Sequence, residues 1–304
     1  MTSSALSALN VRYGIAGQVS FNAGPGGLTV AEVTNAHATA SIALQGAHVM
    51  TFVPRGEQPL LWLSAFGKFA PGKSIRGGVP ICWPWFGPHA TESAFPGHGF
   101  ARTVPWEVLK TEALAGGGTR LVLRIVQSDA TRAQWSHPSD CLCEITVGKT
   151  LDIDLVTRNT GSAPIVIGDA LHTYFQVSDI RQCTIHGLEG CPYLDKVDAG
   201  QRKQQTGAVT ISAETDRIYL DSVADCLIDD PGLKRRIRIS KRNSRSTVVW
   251  NPWIEKAAKM GDFGENGYRN MVCVESTNAA DDVVTIAPGA EHRLQVRYGI
   301  EPLA

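Results

Sequence analysis

The stretch Leu142-Cys-Glu-Ile-Thr-Val147-Gly-Lys-Thr-Leu151-Asp-Ile-Asp-Leu-Val-Thr157 decides the fold class. Apolar and polar residues alternate on both sides of the Gly148-Lys149 turn, so Asp152 and Asp154 share one face and the intervening apolar residues share the other. This pattern predicts a β-hairpin with one solvated face and one buried face. We therefore expect an antiparallel sheet in the middle of the chain.

Further strands are predicted on both sides of this hairpin, because short apolar or alternating runs recur between turns rich in Gly and Pro. The single runs cover residues 28–33, 40–44, 59–63, 103–109, 120–126 and 165–172. Two more hairpins are predicted, which pair 236–240 with 246–250 and 283–286 with 294–298.

One short helix is predicted, with Asn251 as its N-cap, Pro252 at its first position and Gly261 at its end. Many short strands without an alternation of strands and helices favour an all-β fold, a large antiparallel β-sandwich with few short helices. We expect one domain over residues 1–304, with about ten flexible residues at its start.

Charge and composition restrict the possible partners. The 304 residues include 29 basic and 29 acidic ones, so the net charge attracts neither nucleic acid nor an anionic membrane. A basic run over 234–245 alternates with Ile237 and Ile239, which is typical of the wet face of a strand. The expected partner is a small neutral or anionic molecule.

Cysteine usage and the N-terminus indicate a cytoplasmic protein. Seven cysteines, an odd number, are scattered along the chain and fit reduced thiols better than disulfides. Their spacing matches no zinc pattern, so we expect no metal. The first residues lack the basic start and apolar stretch of a signal peptide, and no apolar run is long enough to span a membrane.

Residues 72–103 combine charge, aromatic surface and flexible backbone too densely for an ordinary core strand. They contain Arg76, Gly77, Gly78, Trp83, Trp85, His98 and Arg102. The paired glycines let the backbone approach a ligand closely or adopt a positive φ. The stretch is interpreted as the floor of a polar pocket, and the alternative is an irregular loop stiffened by its prolines.

Lys73-Ser-Ile-Arg-Gly-Gly-Val-Pro-Ile-Cys-Trp-Pro-Trp-Phe-Gly87, followed by His98-Gly-Phe-Ala-Arg102, resembles the signature of the hexose-6-phosphate mutarotases, a branch of the aldose 1-epimerase superfamily. Further motifs that carry the resemblance are found at 45–49, 169–175, 216–219, 249–253 and 272–275. The resemblance implies a galactose-mutarotase-like β-sandwich and an enzyme, expected to be a monomer, that interconverts the anomers of glucose 6-phosphate. Neither a metal nor an organic cofactor is expected, since ring opening and closure are proton transfers.

Two residues are candidates for acid and base catalysis. His172 ends an apolar strand, where it is either a core histidine bonded to a backbone carbonyl or a general acid. Glu275 ends the apolar run from Met271, where it either faces solvent at a strand end or acts as a general base. The resemblance implies catalysis for both, with His172 as the acid and Glu275 as the base.

Six further residues are predicted to bind substrate: Gln45, Arg76, Trp83, His98, Arg102 and Asp216. Arginine forks suit a phosphate group, although two arginines in surface ion pairs are the alternative. The resemblance implies that Arg76 and Arg102 hold the phosphate and that His98 and Asp216 bind sugar oxygens. For Asp216 a turn cap is the competing role. Tryptophans 62, 83 and 250 either stack on the sugar or belong to the core.

Two other functions remain open at this point. One is a mutarotase for unphosphorylated aldoses, against which Arg76 and Arg102 argue. The other is a catalytically inactive protein that binds sugar phosphates, against which His172 and Glu275 argue.

Overall fold

A computed structural model describes residues 3–303. The helices are α1 (Ser3–Tyr13), α2 (Asp129–Gln134) and α3 (Trp253–Met260). The first strands are β1 (Val19–Ala23), β2 (Thr29–Thr34), β3 (Ala38–Ala43), β4 (His48–Pro54), β5 (Ile81–Cys82), β6 (Trp106–Ala113), β7 (Thr119–Ile125), β8 (Ser139–Val147), β9 (Leu151–Asn159), β10 (Ile165–Ile167) and β11 (Asp169–Leu171). They are followed by β12 (Tyr174–Gln176), β13 (Thr184–His186), β14 (Pro192–Asp195), β15 (Gln201–Gln204), β16 (Thr215–Tyr219), β17 (Cys226–Asp230), β18 (Arg235–Arg242), β19 (Ser246–Asn251), β20 (Met271–Asn278), β21 (Val284–Ile286) and β22 (Glu291–Pro302).

Two large antiparallel sheets form the body of the protein. One, here called the outer sheet, has the order β13-β17-β18-β22-β9-β8-β7-β6. The other, here called the inner sheet, has the order β15-β14-β16-β19-β20-β11-β5, with β12 also paired to β20. Strands β1 to β4 form a separate four-stranded sheet in chain order, and β10 pairs with β21. The predicted all-β antiparallel fold with few short helices is confirmed.

The hairpin predicted over 142–157 is confirmed as β8 and β9. Cys143 pairs with Leu155, and Ile145 pairs with Ile153, so these four buried side chains share the core face. The intervening residues, including Asp154, are half-buried on the other face. The alternation that predicts the hairpin thus also determines which face of the outer sheet packs into the core.

The inner sheet is covered on both faces. Val272 and Val274 of β20 belong to the main core between the sheets, whereas Cys273 belongs to a second apolar cluster on the opposite face. Because side chains alternate along a strand, Glu275 lies on the same face as Cys273. That opposite face of the inner sheet carries the candidate site.

Both of the other predicted hairpins are wrong. β18 pairs with β17 and β22 in the outer sheet, whereas β19 pairs with β16 and β20 in the inner sheet. β21 pairs with β10, and β22 with β9 and β18. The loop after β18 carries the chain from one sheet to the other, and Ser244 bonds there to the carbonyl oxygen of Thr277. Every residue of β19 is buried, a pattern of a strand covered on both faces rather than of a hairpin with a wet face.

The predicted helix is confirmed as α3, which ends at Gly261 in the left-handed conformation, at φ 70°. Its start differs, because Asn251 is the last residue of β19 and Pro252 takes the N-cap position. The Asn251 side chain still contributes, since its Oδ1 accepts a hydrogen bond from the backbone N–H of Trp253 at 2.9 Å. The strand predicted over 59–63 is wrong, because only Leu61 and Leu63 make isolated bridges there.

Helices α1 and α2 are not predicted from the sequence. Asn10 of α1 bonds to the backbone N–H and C=O of Phe21, at 2.8 and 2.7 Å, which ties the helix to the first strand. Flexibility of the first ten or so residues stays a prediction. Within residues 3–303, no helix has the length and apolar character needed to cross a membrane.

Candidate active site

A cavity of about 590 Å³ opens on the second face of the inner sheet. This volume lies within the range of small-molecule sites. Six of the predicted site residues line it: Arg76, His98, Arg102, His172, Asp216 and Glu275. The fold therefore brings together residues that are spread over about 200 positions of the chain.

The candidate acid and base face each other at the floor of this cavity. Nδ1 of His172 lies 3.3 Å from Oε1 of Glu275. Glu275 is held by the central strand β20, and His172 directly follows β11, whose Leu171 pairs with Ser276. Strand pairing thus fixes the separation of the two functional groups.

Aromatic contacts hold the His172 ring. It stacks on Tyr174 with ring centres 5.0 Å apart and planes 10° apart, and it meets the edge of Trp250 at 6.0 Å. The backbone N–H of His172 donates to the carbonyl oxygen of Pro80 at 2.9 Å. A ring held in this way is oriented before any substrate arrives, which favours proton transfer.

Burial disfavours the charged form of both groups. The pKa of Glu275 is well above its usual value, because its carboxyl is buried and the Asp216 carboxylate lies nearby, although Arg102 opposes the shift. The pKa of His172 is well below its usual value because of burial and the neighbouring His98 and Arg102. In the part of the chain that the structure describes, Glu275 Oε2 and His172 Nδ1 have no hydrogen-bond partner. Both unpartnered atoms are available to a ligand.

Arg102 presents a largely free guanidinium group to the cavity. Its Nη2 donates to the carbonyl oxygen of Gly97 at 2.8 Å. No carboxylate of residues 3–303 forms an ion pair with it within 4 Å. Since a guanidinium group has five N–H donors, most of them remain available for an anion.

Arg76 is bound more tightly to the protein. Its Nε donates to Oδ2 of Asp262 at 3.0 Å, and its Nη1 donates to the Tyr174 hydroxyl at 2.8 Å. Its guanidinium carbon also lies 5.2 Å from the ring centre of Phe263. Arg76 therefore has fewer free donors than Arg102, but they are held in one orientation.

His98 has a defined protonation state. It adopts a left-handed backbone at φ 66°, and its Nδ1 accepts a hydrogen bond from the Gly87 N–H at 3.3 Å. Burial, together with the charge of Arg102, lowers the pKa of His98 to about 4, so the ring is neutral near pH 7. With Nδ1 as an acceptor, Nε2 carries the proton and acts as a donor.

Asp216 lies on β16, at the wall that carries two lysines. Its Oδ2 is 4.0 Å from Nζ of Lys256, and burial raises the pKa of its carboxyl. Lys196 also lines this wall. Asp216 is inside the strand rather than at a turn, so the alternative role of turn cap is wrong.

Gln45 and Trp83 lie outside the cavity lining. The Gln45 side chain accepts from the Gly72 N–H at 2.7 Å and donates to the Lys73 carbonyl at 2.8 Å, so it supports the loop before Arg76. Trp83 is 1% exposed in the main core. The prediction that these two residues contact substrate is therefore corrected. The Gln45 amide is hydrogen-bonded to the protein backbone and the Trp83 ring is packed in the core, so both residues support the site from outside the cavity.

Several cavity residues are missed by the sequence analysis as site residues: Ser74, Phe86, Lys196, Lys256 and Met260. Of the three tryptophans for which stacking on the sugar or a place in the core were both possible, Trp250 lines the cavity, whereas the Trp62 ring stacks on Tyr174. The sequence gives a weak indication that Lys256 belongs to the site, since this lysine lies on the predicted helix beside the motif at 249–253. It gives no such indication for Lys196, which directly follows β14, because only the pairing of β14 with β16 brings this lysine close to Asp216.

One group of possible metal ligands occurs in the described chain. A ring nitrogen of His172, Sγ of Cys273 and a carboxylate oxygen of Glu275 all lie within 4.8 Å of one another. The sequence spacing does not reveal this group, because the histidine is about a hundred residues away from the other two.

Comparisons with known proteins show which family and fold the chain shares. A protein of Escherichia coli (strain K12) that carries the provisional name glucose-6-phosphate 1-epimerase is 41% identical over 243 residues, which is 80% of each chain. The crystal structure of a provisionally assigned mutarotase from Salmonella typhimurium superposes with a TM-score of 0.87, at 35% identity and with 94% of each chain covered.

A galactose mutarotase related enzyme from Lactobacillus acidophilus has a TM-score of 0.70 at 13% identity, over 90% of this chain and 98% of that one, a likeness of fold. The galactose-mutarotase-like β-sandwich expected from the sequence is thereby confirmed. The profile of the family described as Aldose 1-epimerase matches residues 29–299. Because this match covers most of the sequence, the chain belongs to the aldose 1-epimerase family.

Proposed function

We propose that this enzyme interconverts the α and β anomers of a hexose 6-phosphate, with glucose 6-phosphate as the expected substrate. The observation that carries the proposal is the buried His172–Glu275 pair, 3.3 Å apart, at the floor of a cavity whose wall contains Arg102 and Arg76. The pair suits chemistry at the anomeric carbon, and the arginines suit a phosphate group.

The reaction consists of two coupled proton transfers. The Glu275 carboxylate removes the proton from the anomeric O1 hydroxyl while the His172 imidazolium protonates the ring oxygen O5. The C1–O5 bond breaks, and the electron pair of the former O1–H bond forms the C1=O1 double bond of the open aldehyde. Rotation about C1–C2 turns the other face of the carbonyl toward the O5 hydroxyl, and reclosure with the roles reversed gives the other anomer.

The electrostatics of the site fit this cycle. Ring opening moves one proton onto Glu275 and takes one from His172, so both residues are neutral while the sugar is open. Burial favours this neutral state, because it raises the pKa of Glu275 and lowers that of His172. Since the two groups interact closely, they hold one proton as a pair rather than titrating independently.

The remaining cavity residues bind and orient the substrate. Arg102 has free N–H donors for the phosphate, and the guanidinium group of Arg76, which its bond to Asp262 holds in place, adds further donors. The neutral His98 donates through Nε2 and Asp216 accepts hydrogen bonds, so these two residues suit sugar hydroxyls. The partner is thus a small sugar phosphate. The proposed location is the cytoplasm, which is consistent with the seven free thiols.

Anomer exchange measured by NMR tests the proposal directly. We expect the enzyme to accelerate exchange of glucose 6-phosphate far more than that of glucose or galactose. Faster exchange of free sugars would favour a mutarotase for unphosphorylated aldoses. Binding of glucose 6-phosphate without acceleration would favour a catalytically inactive sugar-phosphate-binding protein, and either result would overturn the proposal.

A further inference from the structure

The thiol of Cys273 is a third functional group beside the catalytic pair. It lies two residues before Glu275 on the same face of β20, and it is fully buried. The mechanism proposed above does not use it. Nevertheless, its sulfur, a His172 nitrogen and a Glu275 oxygen lie within 4.8 Å of one another.

The spacing of these atoms is close to that of a tetrahedral zinc site. Zinc bonds of about 2.0 to 2.1 Å place nitrogen and oxygen ligands roughly 3.3 Å apart at a tetrahedral angle. Nδ1 of His172 and Oε1 of Glu275 are already 3.3 Å apart. The sulfur lies within 4.8 Å of both ligand atoms and needs an approach of at most about 1.2 Å, because a zinc-bound thiolate lies roughly 3.6 Å from the other ligands.

The ligand groups are also available. His172 Nδ1 is buried without a hydrogen-bond partner among residues 3–303, as is Oε2, the second oxygen of the Glu275 carboxyl, and Glu275 is only 1% exposed. His172 and Glu275 both line the open cavity, so an ion in the cavity can reach both side chains. A bound cation would complete the coordination of polar atoms that the protein leaves unsatisfied.

We propose that His172, Cys273 and Glu275 form an inhibitory site for a thiophilic divalent cation of the Zn²⁺ or Cd²⁺ class. The ion binds both catalytic groups and leaves its fourth position to a water molecule in the cavity. Thiolate and imidazole ligands select such ions over Mg²⁺ or Ca²⁺, which prefer oxygen. Binding of the ion is independent of the proposed function, whereas the inhibition rests on that function.

Titration of the EDTA-treated full-length protein with Cd²⁺ tests the binding. We expect one ion per chain by calorimetry, together with the ultraviolet charge-transfer absorption of a cadmium–thiolate bond. Cys273→Ala should remove the absorption and weaken binding on the order of 100-fold, and Cys273→Ser, which keeps the side-chain size, should do the same. Cys143→Ala, a cysteine buried in the main core, and Cys191→Ala, a partly exposed one, should change neither signal.

An unchanged signal in Cys273→Ala, or its loss in Cys191→Ala, would show that the ion binds elsewhere and would overturn the proposal. Activity assays separate this proposal from the proposed function. Cd²⁺ should inhibit anomer exchange, EDTA should restore it, and each Cys273 variant should resist inhibition relative to its own uninhibited rate. Full activity with the site occupied would overturn the inhibitory role, whereas an absence of exchange without metal would count against the proposed function alone.

Discussion

At the scale of single residues, the site depends on two ionisable groups that the fold keeps out of water. Glu275 is 1% exposed and lies on the strand beside His172. A buried carboxylate lowers the stability of the folded state unless a partner compensates for it. We interpret this arrangement as a cost in stability that the catalytic function requires.

Replacement of Glu275 by Gln tests the base. The amide keeps the shape of the side chain but cannot take a proton, so we expect anomer exchange to slow by about 10² to 10⁴-fold. The free energy of unfolding at neutral pH should not fall, because the variant removes a carboxyl whose ionisation burial opposes. NMR exchange and urea unfolding measure the two effects. Wild-type exchange rates in the folded variant would refute the assignment.

Replacement of Arg102 by Ala tests the phosphate contact. Loss of a charge-assisted hydrogen-bonding fork should lower kcat/KM for glucose 6-phosphate, relative to that for free glucose, by about 10 to 150-fold. Lysine should restore only part of the difference, since it cannot form two parallel bonds. Arg297→Ala is the matched control, because Arg297 is an exposed arginine paired with Asp152 on the outer sheet. Equal losses for both sugars would mean that Arg102 supports the pocket rather than the phosphate.

Arg76 is a less selective probe of the same contact. Arg76→Ala would also unpair Asp262 and the Tyr174 hydroxyl, both of which the arginine bonds. A loss of activity in that variant therefore combines phosphate binding with the shape of the cavity wall.

At the scale of elements, the segment from Lys73 to Gly87 shapes the floor of the site. Its Gly77 and Gly78 have φ values of 107° and 63°, so both adopt the positive φ that was one of the two roles expected for the paired glycines. Their close contacts are with the protein backbone: a Cβ on Gly78 would lie 2.3 Å from the Val49 carbonyl oxygen. Glycine is needed at position 78 so that the segment can pack against β4.

Two Gly-to-Ala variants separate conformation from contact. Gly78→Ala should lower the free energy of unfolding by about 2 to 4 kcal/mol, because it adds a collision to the strain of a positive φ. Gly72→Ala should cost only about 1 kcal/mol, since Gly72 also has a positive φ, at 73°, but no atom within 4 Å of the added Cβ. Chemical denaturation measures both. Equal losses would mean that the close approach to β4 is unimportant for stability.

At the scale of the whole molecule, buried neutral histidines make stability depend on pH. His48 is fully buried, and its Nε2 contacts the Gly77 carbonyl oxygen at 2.8 Å. Burial lowers its pKa to about 4. Since the folded pKa lies below the unfolded value of 6.5, the unfolded state binds more protons between these pH values, and stability is lost as the pH falls.

His48→Gln tests this dependence. The amide can donate to the Gly77 carbonyl but does not titrate. We expect the wild-type free energy of unfolding to fall between neutral pH and a pH of about 4 by up to about 3 kcal/mol more than that of the variant. Urea unfolding at a series of pH values measures the difference. Parallel curves would mean that other groups control the acid sensitivity.

Part of the local structure follows from the sequence. The alternation at 142–157 predicts the hairpin and its buried face, because a period of two depends only on neighbouring residues. Gly261 predicts the end of α3 for a similarly local reason. The motifs around Arg76, Arg102, His172 and Glu275 predict the site through a family resemblance, and the structure places all four at one cavity.

Outside that hairpin, only the tertiary structure decides which strands pair and which side chains meet. The residues of β18 and β19 are adjacent in sequence and look like a hairpin, yet they enter different sheets, because burial of both faces of β19 outweighs the short loop. Gln45 and Trp83 lie in recognisable motifs but point into the protein. Cys273 joins His172 only through strand pairing. Such contacts link residues far apart in sequence, and local hydrophobic periodicity carries no information about them.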